Sequence, residues 1–199
     1  MTFIAVALMG LFVLPSVTIH APVKPAHSVA VSQSPEEVSD TEVPLRGPIF
    51  KATVTSYNAV PEQTDMSPFV TASGVYSNPK VVAARSRDLA KKLPFGTVIS
   101  IEHGKSFSKT CGYGIVKHQV GYRVIADTMN ARKHNQVDIL LDQKNKVRVG
   151  KKIINPSIAL GICQRMIIRV VGHVNIKHVP KTQAELARIV REHDTIAIR

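Results

Sequence analysis

The chain has 199 residues, with 26 Lys and Arg against 14 Asp and Glu and a formal net charge of +12. That length suits one medium domain with an appendage, and 44% apolar with 20% charged residues excludes collagen-like, coiled-coil and wholly disordered chains. Only two cysteines, Cys111 and Cys163, neither in a CxxC pair, exclude a disulfide-dense mini-scaffold.

The charge is unevenly placed. Through Leu45 there is one basic residue, Lys24, against four acids; residues 46–199 hold 25 basic and 10 acidic residues, a net of +15. A part that basic favours polyanions: nucleic acid, an anionic membrane surface or an acidic wall polymer.

In chain order, Phe3 to Val17 is an apolar run interrupted by Pro15, too short for an ordinary membrane span. With Ser28-Val29-Ala30 as a small-x-small site, residues 1–30 read as a secretory signal or an N-terminal anchor. No Lys or Arg precedes the run, and a buried N-terminal helix is the alternative. Residues 31–48, VSQSPEEVSDTEVPLRGP, have linker composition. From there the pattern changes to short strands between turn signals. Lys51–Tyr57, Val81–Ala84, Thr97–Glu102, Tyr122–Asp127, Val137–Leu141 and Met166–Val171 are the expected strands. Ser86–Leu93 reads as a short helix stopped by Pro94, and Asn155-Pro156-Ser157 opens another that ends near Gly161. Six strands with little helix predict a mainly β fold, a small closed barrel over 49–175. Residues 176–199 form a helical extension opened by the capping box Thr182-x-x-Glu185, with Leu186, Ile189 and Val190 on one face. In an exported chain Cys111 and Cys163 either pair or are two unrelated buried thiols.

The barrel region has few acids, and two interrupt apolar strands: Asp127 in VIAD and Asp138 in VDILL. A carboxylate there needs hydrogen bonds, a cationic partner or a use. Strand parity separates Asp138 from Val137, Ile139 and Leu141. If the flanking strands are neighbours, both carboxyls lie near one rim of the barrel and their pKa values separate, leaving one a proton donor near neutral pH. The structural alternative is that they cap turns or pair with Arg123 and Arg132.

Five segments then follow in order: Val54-Thr55-Ser56-Tyr57-Asn58, Thr71-Ala72-Ser73-Gly74, Leu93-Pro94-Phe95-Gly96-Thr97, Ala126-Asp127-Thr128 and Val137-Asp138-Ile139. Over roughly residues 50–172 the chain resembles the 3D (Asp-Asp-Asp) domain family, a six-stranded double-psi β-barrel related to the barrel of MltA-type lytic transglycosylases. The second and third aspartates of that family fall on Asp127 and Asp138. The first falls on Asp88, the one acid ahead of LPFGT, within the longer stretch ARSRDLAKKLP. The family's glycine-glycine turn is replaced by Thr128-Met129-Asn130. The resemblance implies cleavage of the MurNAc–GlcNAc bond of peptidoglycan, with Asp138 as general acid and then base and Asp127 tuning it. Tyr57, Thr71, Ser73 and Arg132 become candidates for substrate contacts. Tyr57 read as a packed strand residue and TASG read as a plain turn are the structural alternatives. Phe69, Tyr76 and Phe95 stand in for the absent Trp as sugar platforms.

His103, His118, His134, His173 and His178 form no HxH or HExxH unit, so no metal and no cofactor is expected. Gly112-Tyr113-Gly114 reads as a turn, and the basic run Lys144, Lys146, Arg148, Lys151, Lys152 as a solvated stretch contacting the wall. The C-terminal helix reads as a cover on the barrel. The partner expected is the peptidoglycan glycan strand, met by a monomer exported to the periplasm or cell envelope. Anchoring through residues 3–17 is the one membrane contact foreseen, and no nucleic-acid partner is expected. The rivals are a non-catalytic wall-binding barrel and a nucleic-acid binder with a false signal segment.

Overall fold

The computed structural model describes residues 47–64, 67–104 and 111–196. The expectations for residues 1–30, and for the linker up to residue 46, lie outside them. The linker's last residue, Pro48, already joins the sheet: its carbonyl accepts from the Val170 N–H at 3.0 Å.

Alternation writes the first strand, β1 (Ile49–Tyr57), which turns Val54 into an apolar interior and Thr55 and Tyr57 outward. β2 (Val82–Arg85) is buried at all four positions, as a strand covered on both faces must be. The helix expected over Ser86–Leu93 is a 3-10 turn, Arg87–Leu89, with no side-chain cap. The Ser86 hydroxyl that would cap a helix instead accepts from the Gln136 N–H across the sheet at 3.1 Å. β3 (Thr97–Glu102) keeps the bounds expected of it.

Gly112-Tyr113-Gly114 is the start of a helix, α1 (Tyr113–Val120), and not a turn. Val116 and Val120, four apart, are its buried residues. β4 (Arg123–Thr128) and β5 (Gln136–Leu140) follow. The basic run keeps its five charged side chains exposed, as a solvated stretch does, and it also forms a hairpin of β6 (Val147–Val149) and β7 (Lys152–Ile154) turned at Gly150 with φ 58°. α2 (Pro156–Leu160) is capped by Asn155, whose Oδ1 accepts from the Ser157 N–H at 2.8 Å. β8 (Cys163–His173) is longer than the expected 166–171, because it pairs along its length with both β1 and β3.

The six long strands close into a barrel in the order β1-β5-β2-β4-β3-β8. Its neighbours are parallel at β1–β5 and β2–β4 and antiparallel elsewhere. Every strand contributes to the interior, through Ala52, Val54, Ala83, Ile99, Ile125, Val137, Ile139, Met166 and Ile168 among others. A second apolar layer lies on the outer wall, where Val82, Val98, Val124, Leu140 and Val171 cluster with Leu186 and Val190 of α3 (Gln183–Ile196). Thr182 caps that helix by accepting from the Glu185 N–H at 3.2 Å, while the Glu185 carboxylate reaches back to the Lys181 N–H at 2.7 Å.

Gly96, in the LPFGT segment, sits at φ 91°, and a Cβ there would come within 2.3 Å of the Val174 carbonyl. Its own carbonyl accepts from the Val174 N–H at 2.8 Å, so the segment's glycine lets the chain after β8 lie against the start of β3. Cys111 and Cys163 form a disulfide, with Cα atoms 4.6 Å apart and a separation of 52 positions in sequence. Closing a loop of that length stabilises the fold by about 4 kcal/mol in the chain-entropy account. No helix among the described residues is long and apolar enough to cross a membrane.

Candidate active site

The strand carrying Asp127 and the strand carrying Asp138 are not neighbours, because β2 lies between β4 and β5. Ala84 of β2 nevertheless pairs with Asp138 on one side and Asp127 on the other. On the far side of Asp138, Thr55 of β1 is its register partner. Directly paired residues point to the same face, so Thr55, Asp138, Ala84 and Asp127 form one row across four strands. The two carboxylates stand two strand spacings apart, about 10 Å between Cα atoms. Val137 and Ile139 are interior residues, which places the row on the outer wall of the barrel and not on its inner rim.

A bulge aims Asp127 into this row. Ala83 pairs with Ile125, yet Ala84 pairs with Asp127, so Ala126 is the extra residue. Without it, strand parity would turn Asp127 inward with Ile125, into the apolar interior.

A long excursion, described over residues 58–64 and 67–81, covers the row and leaves a cleft of about 560 Å³ between loop and wall. Tyr57, Thr71, Ala84, Asp127, Lys133 and Asp138 are among its lining residues. The TASG segment is a tight turn, with Gly74 at φ 82°. It is stitched to β4 by the Ser73 N–H, which donates to the Ala126 carbonyl at 3.1 Å.

The two carboxylates are held differently. Asp127 Oδ2 accepts from the Tyr57 hydroxyl at 2.9 Å, and Oδ1 accepts from the Ala72 N–H at 2.9 Å and the Thr128 N–H at 2.8 Å. Burial, reinforced by the charge and hydrogen bond of Asp127, holds the Tyr57 phenol far above its ordinary range. It stays protonated and donates. Asp138 Oδ1 accepts from the Thr55 hydroxyl at 2.7 Å, and Thr55 in turn accepts from the Gln136 side-chain amide at 2.7 Å. Oδ2 has no hydrogen bond among the described residues. Burial pushes Asp138 up to about 6, with Thr55 and the charge of Lys133 opposing and Asp127 adding to the rise. One carboxylate is therefore fully engaged, and the other keeps an oxygen for a ligand and holds its proton up to about pH 6.

The remaining sequence candidates divide. Tyr57 and Thr71 line the cleft. Ser73 lies beside it, its hydroxyl 3.0 Å from that of Thr71. Asp88 is not among the lining residues. It accepts from the Asn135 N–H at 2.9 Å, and the Ser86 side chain and that N–H hold its carboxyl below the ordinary range. It thus clamps the chain entering β5. Arg132 is exposed and outside the lining. Neither arginine pairs with the aspartates. Arg123 is fully buried and donates to the carbonyls of Val120, Pro79, Val82, Leu140 and Gln119. Phe95 is covered by the Arg85 guanidinium, 5.0 Å from the ring centre, whereas Phe69 and Tyr76 are 59% and 66% exposed on the excursion.

Thr55, Lys133 and Gln136 were not among the candidates. Thr55 was within reach, since it shares strand parity with Tyr57. Lys133 and Gln136 gain their meaning only from which strands adjoin. Among the described residues no three His, Cys, Asp or Glu side chains cluster to hold a metal. The chain matches no protein-family model and no curated protein sequence.

Proposed function

We propose that the protein is a peptidoglycan-active, lytic transglycosylase-like enzyme, built on a double-psi barrel of the 3D type. The parallel pairs β1–β5 and β2–β4, each joined by long connections, support that barrel reading. The observation that carries the functional reading is the unequal pair of carboxylates. Asp138 has a raised pKa and an oxygen without a protein donor, in a cleft of about 560 Å³ beside a fully engaged Asp127.

In this reading protonated Asp138 gives its proton to the oxygen between MurNAc and GlcNAc as that bond breaks. The resulting carboxylate then takes the proton of the MurNAc C6 hydroxyl, which attacks the anomeric carbon and closes a 1,6-anhydro ring. One residue is acid and then base, and no water is consumed. Asp127 orients a sugar hydroxyl or offsets the oxocarbenium-like charge, and the Tyr57 hydroxyl fixes its orientation. Lys133 balances Asp138 once it is ionised. Exposed Phe69 and Tyr76 supply apolar surface for sugar rings. The +15 charge of residues 46–199 draws the domain to the carboxylates of the wall. The disulfide fits an exported chain, acting in the periplasm or envelope after cleavage or anchoring of residues 1–30.

Mass spectrometry of purified peptidoglycan incubated with the full-length chain or its Asp138→Asn variant tests this. Anhydro-muropeptides from the wild type alone are the expected result. Hydrated reducing ends would mean a hydrolase. No products, with both proteins pelleting equally with the wall, would leave a binding barrel.

A further inference from the structure

A second cavity, of about 630 Å³, lies among the end of β1, the chain that follows it, Gln143, Lys146 and the start of α2, with Tyr57 in its lining. Tyr57 and Gln63 line both cavities, so the two spaces share a wall. Their chemistry differs. The first holds two carboxylates and one lysine, whereas the second has no acid in its lining and one cation, Lys146. The rest of its lining is amides and hydroxyls, Ser56, Asn58, Gln143, Asn155 and Ser157 among them, with Ile158 at one edge.

Some of these groups are used by the fold. The Asn58 amide donates to the Leu141 carbonyl at 2.8 Å, and the Asn155 amide donates to the Gln143 carbonyl at 3.0 Å. Others are not. The Gln63 oxygen accepts from the Asn58 N–H at 2.7 Å, which leaves its two amide protons. The Gln143 side chain and the Lys146 ammonium make no hydrogen bond or ion pair among the described residues. The Ser157 hydroxyl oxygen is buried without a partner, a condition that native structures seldom leave unused. Two amides and an ammonium with hydrogens to give, and no carboxylate to repel, suit a carboxylate-bearing, amide-rich ligand.

We propose that this cavity is a subsite for the peptide branch of the polymer, gripping a stem-peptide carboxylate through Lys146 while the glycan lies in the acidic cleft that Tyr57 also lines. The assignment rests on the peptidoglycan reading and deepens it. A bare sugar chain has nothing to match an acid-free, cationic, amide-lined cavity, whereas peptidoglycan carries an acidic peptide on each MurNAc beside the bond to be cut. The subsite makes the substrate a peptide-bearing strand and not a denuded one.

The test is isothermal titration of the full-length protein with the acetylated stem tetrapeptide L-Ala-γ-D-Glu-L-Lys-D-Ala, against the same peptide with its carboxylates amidated. Wild type is expected to bind the acid form at least tenfold more tightly. Lys146→Gln, a change at an exposed side chain, is expected to remove that preference and leave thermal unfolding unchanged. Equal affinity for the two peptides, no binding of either, or a preference surviving in Lys146→Gln would each overturn the subsite. In parallel, intact wall and amidase-stripped glycan are digested. Peptide preference without cleavage of either substrate keeps the subsite and sinks the enzyme reading. Cleavage of both at equal rates, with no peptide binding, does the reverse.

Discussion

Two charges on the barrel, Arg123 at the start of β4 and Asp138 on β5, are treated oppositely by the fold. Arg123 shares the inward parity of Ile125 and is fully buried, with every hydrogen-bonding nitrogen given to a carbonyl. Burial lowers its pKa to about 9, so it remains a cation at neutral pH. Those carbonyls belong to α1, the chain leading into β2, β2 itself and β5, so the side chain ties together elements distant in sequence. At the other end the bulge at Ala126 turns Asp127 outward, to a wall where Asp138 keeps an oxygen without a protein donor. A charge whose bonds are all made builds the fold, and a charge left short of partners is available to a ligand.

The strongest way to break this contrast is at Arg123. Arg123→Met leaves five carbonyls without their donor, at a cost of about 3–5 kcal/mol, which lowers the unfolding midpoint by roughly 10 °C in a domain of this size. Arg123→Lys recovers only part of the loss, since an ammonium has three protons for the five acceptors. Thermal unfolding followed by circular dichroism measures both. A midpoint unchanged in Arg123→Met would mean that these bonds do not hold the barrel.

The opposite sign is expected at Asp138. Its folded pKa, about 6, lies above the ordinary 3.8, so between those pH values the folded state holds a proton that the unfolded state has lost. Its contribution to stability therefore declines as pH rises through that window, by up to about 3 kcal/mol. Asp138→Asn, which escapes the ionisation, is expected to unfold at a higher temperature than wild type at pH 8 and at the same temperature at pH 4. On the proposed function it should also lose lytic activity. Wild-type kcat/KM should fall above about pH 6 as the acid deprotonates. Thermal melts at the two pH values check the first claim. A variant less stable at pH 8 would show a carboxylate held for structure.

Tyr57→Phe sharpens the same boundary more gently. It removes the hydroxyl from Asp127 Oδ2 at a cost of about 1–2 kcal/mol, and it frees the carboxylate to turn. Activity should fall while the Asp138 limb of the pH profile stays in place. A shift of that limb by a full unit would mean that Tyr57 acts on Asp138 and not through Asp127.

How much of this was legible in advance follows from what each signal depends on. Strand alternation is local, so five of the six barrel strands were placed within two residues of their ends, and β8 was placed in its middle. The capping box before α3 is local too. α1 was hidden by flanking glycines, although Val116 and Val120 at i and i+4 carried its signal. β6 and β7 were hidden because Arg148 and Lys152 masked two three-residue runs about Gly150. Asp127 and Asp138 stood out because an acid inside an apolar strand calls for an explanation. What no single strand contains is the neighbour order. β2 had to be placed between β4 and β5 before Ala84 could be seen flanked by both acids, before the Ala126 bulge had meaning, and before Thr55 and Gln136 could be joined to Asp138. The alternative that pairs Arg123 with the aspartates fails for the same reason: a cation near two acids in sequence suggests ion pairs, and three-dimensional packing gives it carbonyls.

The smallest effect is expected where a charge belongs to neither region. Arg169 meets Glu102 across β8 and β3 with bonds of 2.7 and 3.1 Å, and these bonds hold the Glu102 carboxyl below its ordinary range. The geometry is two-pronged, but the side chains remain 21% and 38% exposed, so solvent and salt screen most of the attraction. Glu102→Gln is therefore expected to cost under about 1 kcal/mol, with activity unchanged. Because the folded pKa is depressed, that contribution is present above the unfolded carboxylate range and fades as pH falls through the folded value. Urea melts of wild type and Glu102→Gln at low and high salt measure it. A loss approaching that of Arg123→Met, undiminished by salt, would mean that exposure does not separate charges that build this fold from charges that merely decorate it.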